Sequence, residues 1–198
     1  LTGTDGLSAG SGGAVGDLTA GYASGAGYHA GSPKDYDRAH CLDTFQLFAF
    51  LKATQEEAFE KLGLGNYGDP NDIIRIKFLS RMSSEITKRG VIDVLRRGVD
   101  HGPQHFTLFY GTPSPGNETA AALHAANRLS ITRQLAYSLD ETRRALDLCL
   151  FVNGLPFATF ELKNSLTKQT VEDAVEQYRR DRDPREPLFA FGRCAVHF

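Results

Sequence analysis

Residues 146–164, LDLCLFVNGLPFATFELKN, constrain the fold more than any other part of the chain. Two apolar runs flank an Asn-Gly pair, a pattern typical of a β-hairpin with a tight turn. The first predicted strand nevertheless contains the acid Asp147, and the second contains Glu161 and Lys163. Because charged groups are costly to bury, three charges in apolar strands require partners or a function.

The register of the hairpin decides whether these three charges lie together. Side chains alternate between the two faces of a strand, so Glu161 and Lys163 share one face. With a strict two-residue turn at Asn153-Gly154, the numbers of paired residues add to an odd total and Asp147 lies on the opposite face. A three-residue turn with Gly154 as a left-handed bulge residue gives an even total and unites the charges. A site here therefore requires an even register, which a two-residue turn without a compensating bulge would prevent.

If the charges do converge, their chemistry suits a divalent cation. Two neighbouring carboxylates repel each other unless a cation lies between them. Mg²⁺ and Mn²⁺ accept carboxylate oxygens, keep several waters and bind phosphate, and the Leu162 carbonyl is a further candidate ligand. An ammonium group beside such a metal can orient an attacking water, so the pattern indicates phosphodiester hydrolysis. The alternative is a charged pair that protects an edge strand from aggregation.

Composition narrows the class of protein further. The chain has 198 residues with 22 basic and 24 acidic side chains, a net charge of −2, which argues against bulk electrostatic binding of nucleic acid but leaves room for a local basic patch. Its three cysteines are widely spaced and form no C-x-x-C pair, which favours a reducing cytoplasm over a disulfide framework or metal cluster. No apolar run approaches the roughly 18 residues of a membrane helix.

The pattern along the chain predicts a glycine-rich segment followed by one domain. Half of the 20 glycines lie in residues 1–31, so we expect residues 1–32 to be loop or linker and the domain to span residues 33–198. Helical spacing is found within residues 36–62, between Asp72 and Gly90, and in VIDVLRRGV. The later segments predict strands in HFTLFYG, RLSITRQLAY, the hairpin and LFAFGRCAVHF, and helices in ETAAALHAAN and TVEDAVEQYRRD. This order indicates an α/β (α+β) fold with a mixed central sheet flanked by helices.

The spacing Asp-x(13)-Glu-x-Lys resembles the metal-dependent nuclease core written PD-(D/E)xK. Residues 138–198 resemble the endonuclease domain of the motor (R) subunit of type I restriction enzymes. Four upstream segments are similar to the same family, namely DYDRAHCLD, FLKATQEEAFEKL, KRGVIDVLRRGV and ANRLSITRQL. The resemblance covers residues 33–198 and implies a restriction-endonuclease-like core, as part of a type I site-specific deoxyribonuclease.

The resemblance also implies residue roles, cofactors and partners. Asp147 and Glu161 correspond to the metal-binding carboxylates and Lys163 to the catalytic lysine. Gln177 corresponds to the first residue of a Gln-x-x-x-Tyr motif, with Asp181 where the tyrosine is expected. The implied cofactor is Mg²⁺ or Mn²⁺, with ATP bound only through domains outside this sequence. The implied partners are double-stranded DNA, cut remote from the recognition site, and the methyltransferase and specificity subunits.

Several alternatives stay open from the sequence. The domain could be a docking module that keeps a nuclease fold and anchors the motor subunit without cutting, or a resolvase or repair nuclease on the same core. Glu85 is either an additional site acid or a charge on a solvated helix face. The basic residues near KRGVIDVLRRG either contact phosphates or complement helix dipoles; they are Lys88, Arg89, Arg96 and Arg97.

Overall fold

A computed structural model of the chain describes residues 27–139, 144–162 and 185–198. The strands in these ranges are β1 (Tyr28–Ala30), β2 (Tyr36–Asp37), β3 (Leu42–Asp43), β4 (Val99–His101), β5 (Gln104–Phe106), β6 (Leu129–Ala136), β7 (Ala145–Val152), β8 (Leu155–Phe160) and β9 (Val196–His197). The central sheet has the order β1-β6-β7-β8-β9. Its three middle strands are antiparallel, whereas β1 and β9 pair in parallel with β6 and β8 at the two edges. The sheet is therefore mixed, as the sequence predicts.

The described helices are α1 (Thr44–Thr54), α2 (Glu56–Lys61), α3 (Ile73–Arg89), α4 (Val91–Arg97) and α5 (Glu118–Ala125). Asp72 caps α3 by accepting a hydrogen bond from the Arg75 amide at 2.8 Å, and the helix ends at Gly90. These bounds confirm the predicted helix. The region 36–62 differs from the expectation, because its first residues form the small antiparallel pair β2-β3 before α1 begins. Each of the described helices is too short or too polar to cross a lipid bilayer.

Two hydrophobic cores lie on the two sides of the central sheet, because successive residues of β7 point to opposite faces. The larger core packs α1, α3 and α4 against the sheet and includes Val152. The smaller core contains Cys149 and Phe151 from β7 together with the other two cysteines, all with free thiols. Burial is the main factor that raises the pKa of each thiol. The sheet is thus covered on both faces.

The two ends of the described chain depart from the sequence-based expectations. Tyr28–Ala30 forms β1, although it lies within the glycine-rich segment expected to be loop or linker. The predicted strand LFAFGRCAVHF is wrong for most of its length, because only Val196–His197 is extended in the sheet. Before it, Pro187–Phe189 forms a 3₁₀ turn, and the buried Arg193 side chain donates hydrogen bonds to hydroxyl groups of α3. These bonds direct the segment towards α3 instead of along β8.

Other predicted elements are shorter than expected or fall outside the described residues. In HFTLFYG, only Phe106 and its preceding neighbour lie in a strand, at the end of β5. The predicted helix TVEDAVEQYRRD, residues 170–181, lies outside the described residues. RLSITRQLAY and ETAAALHAAN form β6 and α5, as predicted.

The turn between β7 and β8 is anchored to the rest of the domain. Asn153 and Gly154 both have positive φ, 50° and 82°, as a type I′ turn requires. The buried Asn153 amide donates to the Leu108 carbonyl at 2.8 Å, and its oxygen accepts from the Arg128 amide at 2.6 Å. The Gly154 carbonyl accepts from the Asp43 amide at 2.9 Å. The hairpin is therefore fixed against the start of α1.

A buried carboxyl group at this contact should make stability depend on pH. Asp43 is 1% exposed, and its Oδ2 has no hydrogen-bond partner among the described residues. Burial raises the pKa of Asp43 from 3.8 to about 6, an effect that Asp35 strengthens and that the Gln46 amide and Arg128 oppose. Since the folded state binds the proton more tightly, this group stabilises the fold below pH 3.8, and that contribution is lost as pH rises to about 6.

We expect Asp43→Asn to raise the free energy of unfolding at pH 7 by about 3 kcal/mol, because asparagine stays neutral and still caps α1. Urea unfolding from pH 3.5 to 8 would measure the difference between the variant and the wild type. The difference should be small at the acidic end and reach its full size above pH 6. A difference that is the same at every pH would contradict the assignment.

Candidate active site

The β7-β8 hairpin has the even register that a site requires, and it reaches this register through a two-residue turn and a bulge instead of a three-residue turn. Val152 pairs with Leu155, so the turn has two residues, Asn153 and Gly154. The register then shifts: Leu150 pairs with Ala158, which leaves Phe157 as an extra residue in β8. This bulge compensates for the short turn and confirms the even register that a site requires. Continued beyond the last pair, Leu148 with Phe160, the register places Asp147 opposite Glu161.

Hydrogen bonds connect Asp147 to the end of the neighbouring strand. Its Oδ2 accepts from the Leu162 amide nitrogen at 2.7 Å, and its Oδ1 accepts from the Gln134 side-chain amide at 3.3 Å. The carboxylate thus has an N–H donor on each oxygen, one from each adjacent strand segment. On the other side of β8, the Glu161 amide donates to the Phe198 carbonyl at 3.0 Å. The backbone that presents the two acids is therefore held from both sides.

A local reversal of alternation exposes this part of the sheet. In β6, Thr132 and Leu135 are both buried although they are three residues apart. Their partners in β7, Cys149 and Leu146, are also both buried. The intervening residues of both strands remain exposed or partly exposed, and they include Asp147. The distortion therefore gives the Asp147 carboxylate access to solvent within an otherwise covered sheet.

The oxygen atoms of these residues fit a hard divalent cation. Asp147 and the partly exposed Glu161 oppose each other in the register, and Leu162 is hydrogen-bonded to the first of them. Among the described residues, no group of three or more His, Cys, Asp or Glu side chains could hold a metal ion. A metal at this position would have two carboxylates, with water completing its shell, as Mg²⁺ prefers. The other two predicted site residues, Lys163 and Gln177, lie outside the described residues.

A cleft lies at the β1-β6 edge of the sheet, and its lining includes neither Asp147 nor Glu161. Leu148 follows Asp147 in β7, and its partner in β6 is the exposed Arg133. Both residues line the cleft together with Tyr28, His29 and Ile131. The cleft therefore contains one cationic side chain, Arg133, to which a phosphate group could bind.

Glu85 occupies a structural position instead of the solvated helix face expected for it. Glu85 is only 8% exposed, accepts a hydrogen bond from Arg89 at 2.7 Å and forms an ion pair with Arg81 at 3.2 Å. Arg89 also pairs with Asp93 and donates to the Gly98 carbonyl. Two of the four arginines and lysines proposed as phosphate contacts, Arg89 and Arg97, are thus engaged in ion pairs within the α3-α4 region. For these two residues the structure favours the helix-end interpretation.

Gln134 is a site neighbour that sequence reasoning did not identify. Its signal in the sequence is a break in alternation, since Thr132, Arg133 and Gln134 are three consecutive polar residues after the alternating run Leu129–Ile131. In a regular strand one of them would point into a core. A run of polar residues that spans both faces therefore indicates a distortion, and the structure shows one at Gln134.

Comparison with known proteins gives one family. A family model described as type I restriction enzyme R protein N terminus matches residues 51–198. Neither the curated proteins nor the solved structures include a significant match. The matched range contains the whole of the hairpin and Gln134.

Proposed function

Because the chain belongs to the family of type I restriction enzyme R protein N termini, we propose that its hairpin site hydrolyses phosphodiester bonds of double-stranded DNA with Mg²⁺ or Mn²⁺. The main support is the hydrogen bond between Asp147 Oδ2 and the Leu162 amide, 2.7 Å long. It fixes one acid beside the segment that contains the second acid, Glu161. Two acids so placed are stabilised by a shared divalent cation.

Each residue of the site has a distinct proposed role. Asp147 and Glu161 hold the metal through their carboxylates, and the Leu162 carbonyl adds a third oxygen. When bound, the ion would lower the pKa of a coordinated water and offset charge on the scissile phosphate. Lys163 orients that water, and Gln177 orients the DNA. The exposed guanidinium of Arg133, at the edge of the cleft, is suited to contact a neighbouring phosphate.

The wider proposal concerns the assembly in which this site acts. With a net charge of −2, the chain has little nonspecific electrostatic attraction for DNA, so partner subunits must contribute most of the DNA-binding affinity. We therefore place the domain in a cytoplasmic complex with methyltransferase and specificity subunits, with ATP-driven domains elsewhere bringing DNA to it. Cleavage would then occur remote from the recognised sequence.

A docking role is the second candidate function. Phe191 is fully exposed and Ile92 is 51% exposed, and both line a groove between α4 and the C-terminal segment. Exposed apolar groups gathered in one groove favour contact with another protein. In that case the domain would anchor the motor subunit to its partners, and the charges of the hairpin would have no catalytic use.

Lys163→Ala in the full complex would separate these two functions. We expect the rate of DNA cleavage to fall by at least about a hundredfold, since a group that acts on the attacking water typically contributes that much. ATP hydrolysis and subunit assembly should stay unchanged. Lys77→Ala, at an exposed position of α3, is the matched control and should cleave normally. Unchanged cleavage by the Lys163 variant would refute the nuclease proposal, and lost assembly would favour docking.

A further inference from the structure

Gln134 has a backbone conformation that needs an explanation. Its φ is +49° within β6, a region that residues other than glycine rarely adopt. Of the three described non-glycine residues with positive φ, Asn153 lies in the hairpin turn and Cys41 in the turn between β2 and β3. Gln134 alone among them is located inside a strand. Such strain persists where the surrounding structure imposes it, and it is concentrated at functional sites.

The strained residue lies opposite Asp147. Thr132 and Leu135 are both buried, so the side chains before and after the distortion both point into the core. The Gln134 side chain between them stays exposed. Its side chain then reaches Asp147 Oδ1 at 3.3 Å, with the amide nitrogen as donor because a carboxylate can only accept. The backbone conformation therefore turns this amide towards the acid.

We infer that Gln134 is a positioning residue that orients the Asp147 carboxylate for a divalent cation. This inference rests on the proposed function. Oδ1 accepts from Gln134 and Oδ2 accepts from Leu162, so rotation of the carboxylate about its last bond is opposed at both oxygens. A carboxylate oxygen accepts in two directions, which leaves one direction on each oxygen for a metal or its waters. Gln134 thus acts on the metal through Asp147 and does not bind it.

The same geometry argues against a purely structural role. The Gln134 side chain is exposed, so its removal uncovers little apolar surface. Its left-handed backbone lowers stability, and glycine would relieve that cost. A residue kept only for stability would not combine an exposed side chain with a strained backbone. Stability and metal affinity are therefore expected to change in opposite directions when glycine replaces Gln134.

The test measures Mn²⁺ binding by electron paramagnetic resonance, and thermal unfolding, on the full chain without DNA. We expect Gln134→Gly to weaken Mn²⁺ binding about tenfold, the usual loss when a group that orients a metal ligand is removed. The same variant should raise the Tm by roughly 2–4 °C. Gln134→Ala should show the same loss of affinity without the rise in Tm, because alanine keeps the strain.

The outcomes distinguish failure of the positioning role from failure of the proposed metal site. If Asp147→Asn abolishes Mn²⁺ binding but Gln134→Gly binds as tightly as the wild type, only the positioning role is refuted. If both Gln134 variants lose thermal stability together with affinity, the residue is structural and the inference again fails. If the wild type shows no Mn²⁺ binding that depends on Asp147, the proposed metal site fails and the inference fails with it.

Discussion

Asp147→Asn in the full complex is expected to lower the rate of DNA cleavage about a thousandfold, the effect of losing several kcal/mol of transition-state stabilisation. Asparagine has nearly the same shape, so the change removes a charge and leaves the packing of β7 intact. Its single oxygen can still accept from the Leu162 amide, and the Gln134 amide can rotate to accept from the new NH₂ group. The free energy of unfolding should therefore change by less than about 0.5 kcal/mol, as is usual for exposed positions.

A surface acid outside the candidate site provides the control for this variant. Asp100 is an exposed residue of β4 whose carboxylate accepts from His105 at 2.7 Å, and it lies outside the central sheet. Asp100→Asn should cleave DNA at the wild-type rate. Cleavage assays on supercoiled DNA and urea unfolding would be run on both variants. An Asp147 variant that cuts DNA normally would show that the acid pair has no catalytic role.

Gly154→Ala is expected to lower the free energy of unfolding by about 4 kcal/mol, from backbone strain and overpacking together. Gly154 has φ +82°, and a Cβ there would lie 2.5 Å from the Asp43 carbonyl oxygen and 2.6 Å from the Leu47 backbone nitrogen. Both atoms belong to the backbone at the start of α1, so neither can move without disturbing the helix. The hairpin would have to separate from α1, and with it the strand ends that hold the candidate site.

Gly116→Ala separates the two causes of this loss, backbone strain and overpacking. Gly116 has the same φ, +82°, but nothing lies within 4 Å of a Cβ built on it. Its substitution should cost only the backbone strain, about 1 kcal/mol. Urea unfolding followed by circular dichroism would compare the two alanine variants. Equal losses at both positions would mean that the close approach of the turn to α1 contributes nothing.

The sequence predicts much of this structure because local rules decide it. Asp72 and Gly90 delimit α3 through a side-chain cap and a glycine with positive φ, and both features depend only on nearby residues. The Asn-Gly pair likewise predicts the hairpin turn, since both residues tolerate positive φ. The requirement for an even register also follows from alternation alone. These predictions need no knowledge of distant contacts.

What the sequence does not predict depends on contacts between distant residues. Pro156 is typical of a bulge in an interior strand but does not identify Phe157 as the extra residue of β8. The Ala195 amide that bonds to the Phe157 carbonyl at 2.9 Å lies almost forty residues away. The C-terminal segment is apolar enough for a long strand, but Arg193 ties it to α3 through Ser83 and Thr87. Tertiary contacts therefore override strand propensity there.

The extra residue at Phe157 also restricts how the hairpin can evolve. A single insertion or deletion between Asp147 and Glu161 would turn every following side chain of β8 towards the other face. Glu161 would then leave its partner, although composition and propensity would hardly change. The number of residues between Asp147 and Glu161 can thus change only by an even number, or stay constant when a residue gained in the turn replaces one lost from the strand. Related sequences should therefore keep an odd number of residues between the two acids, even where the residue types differ.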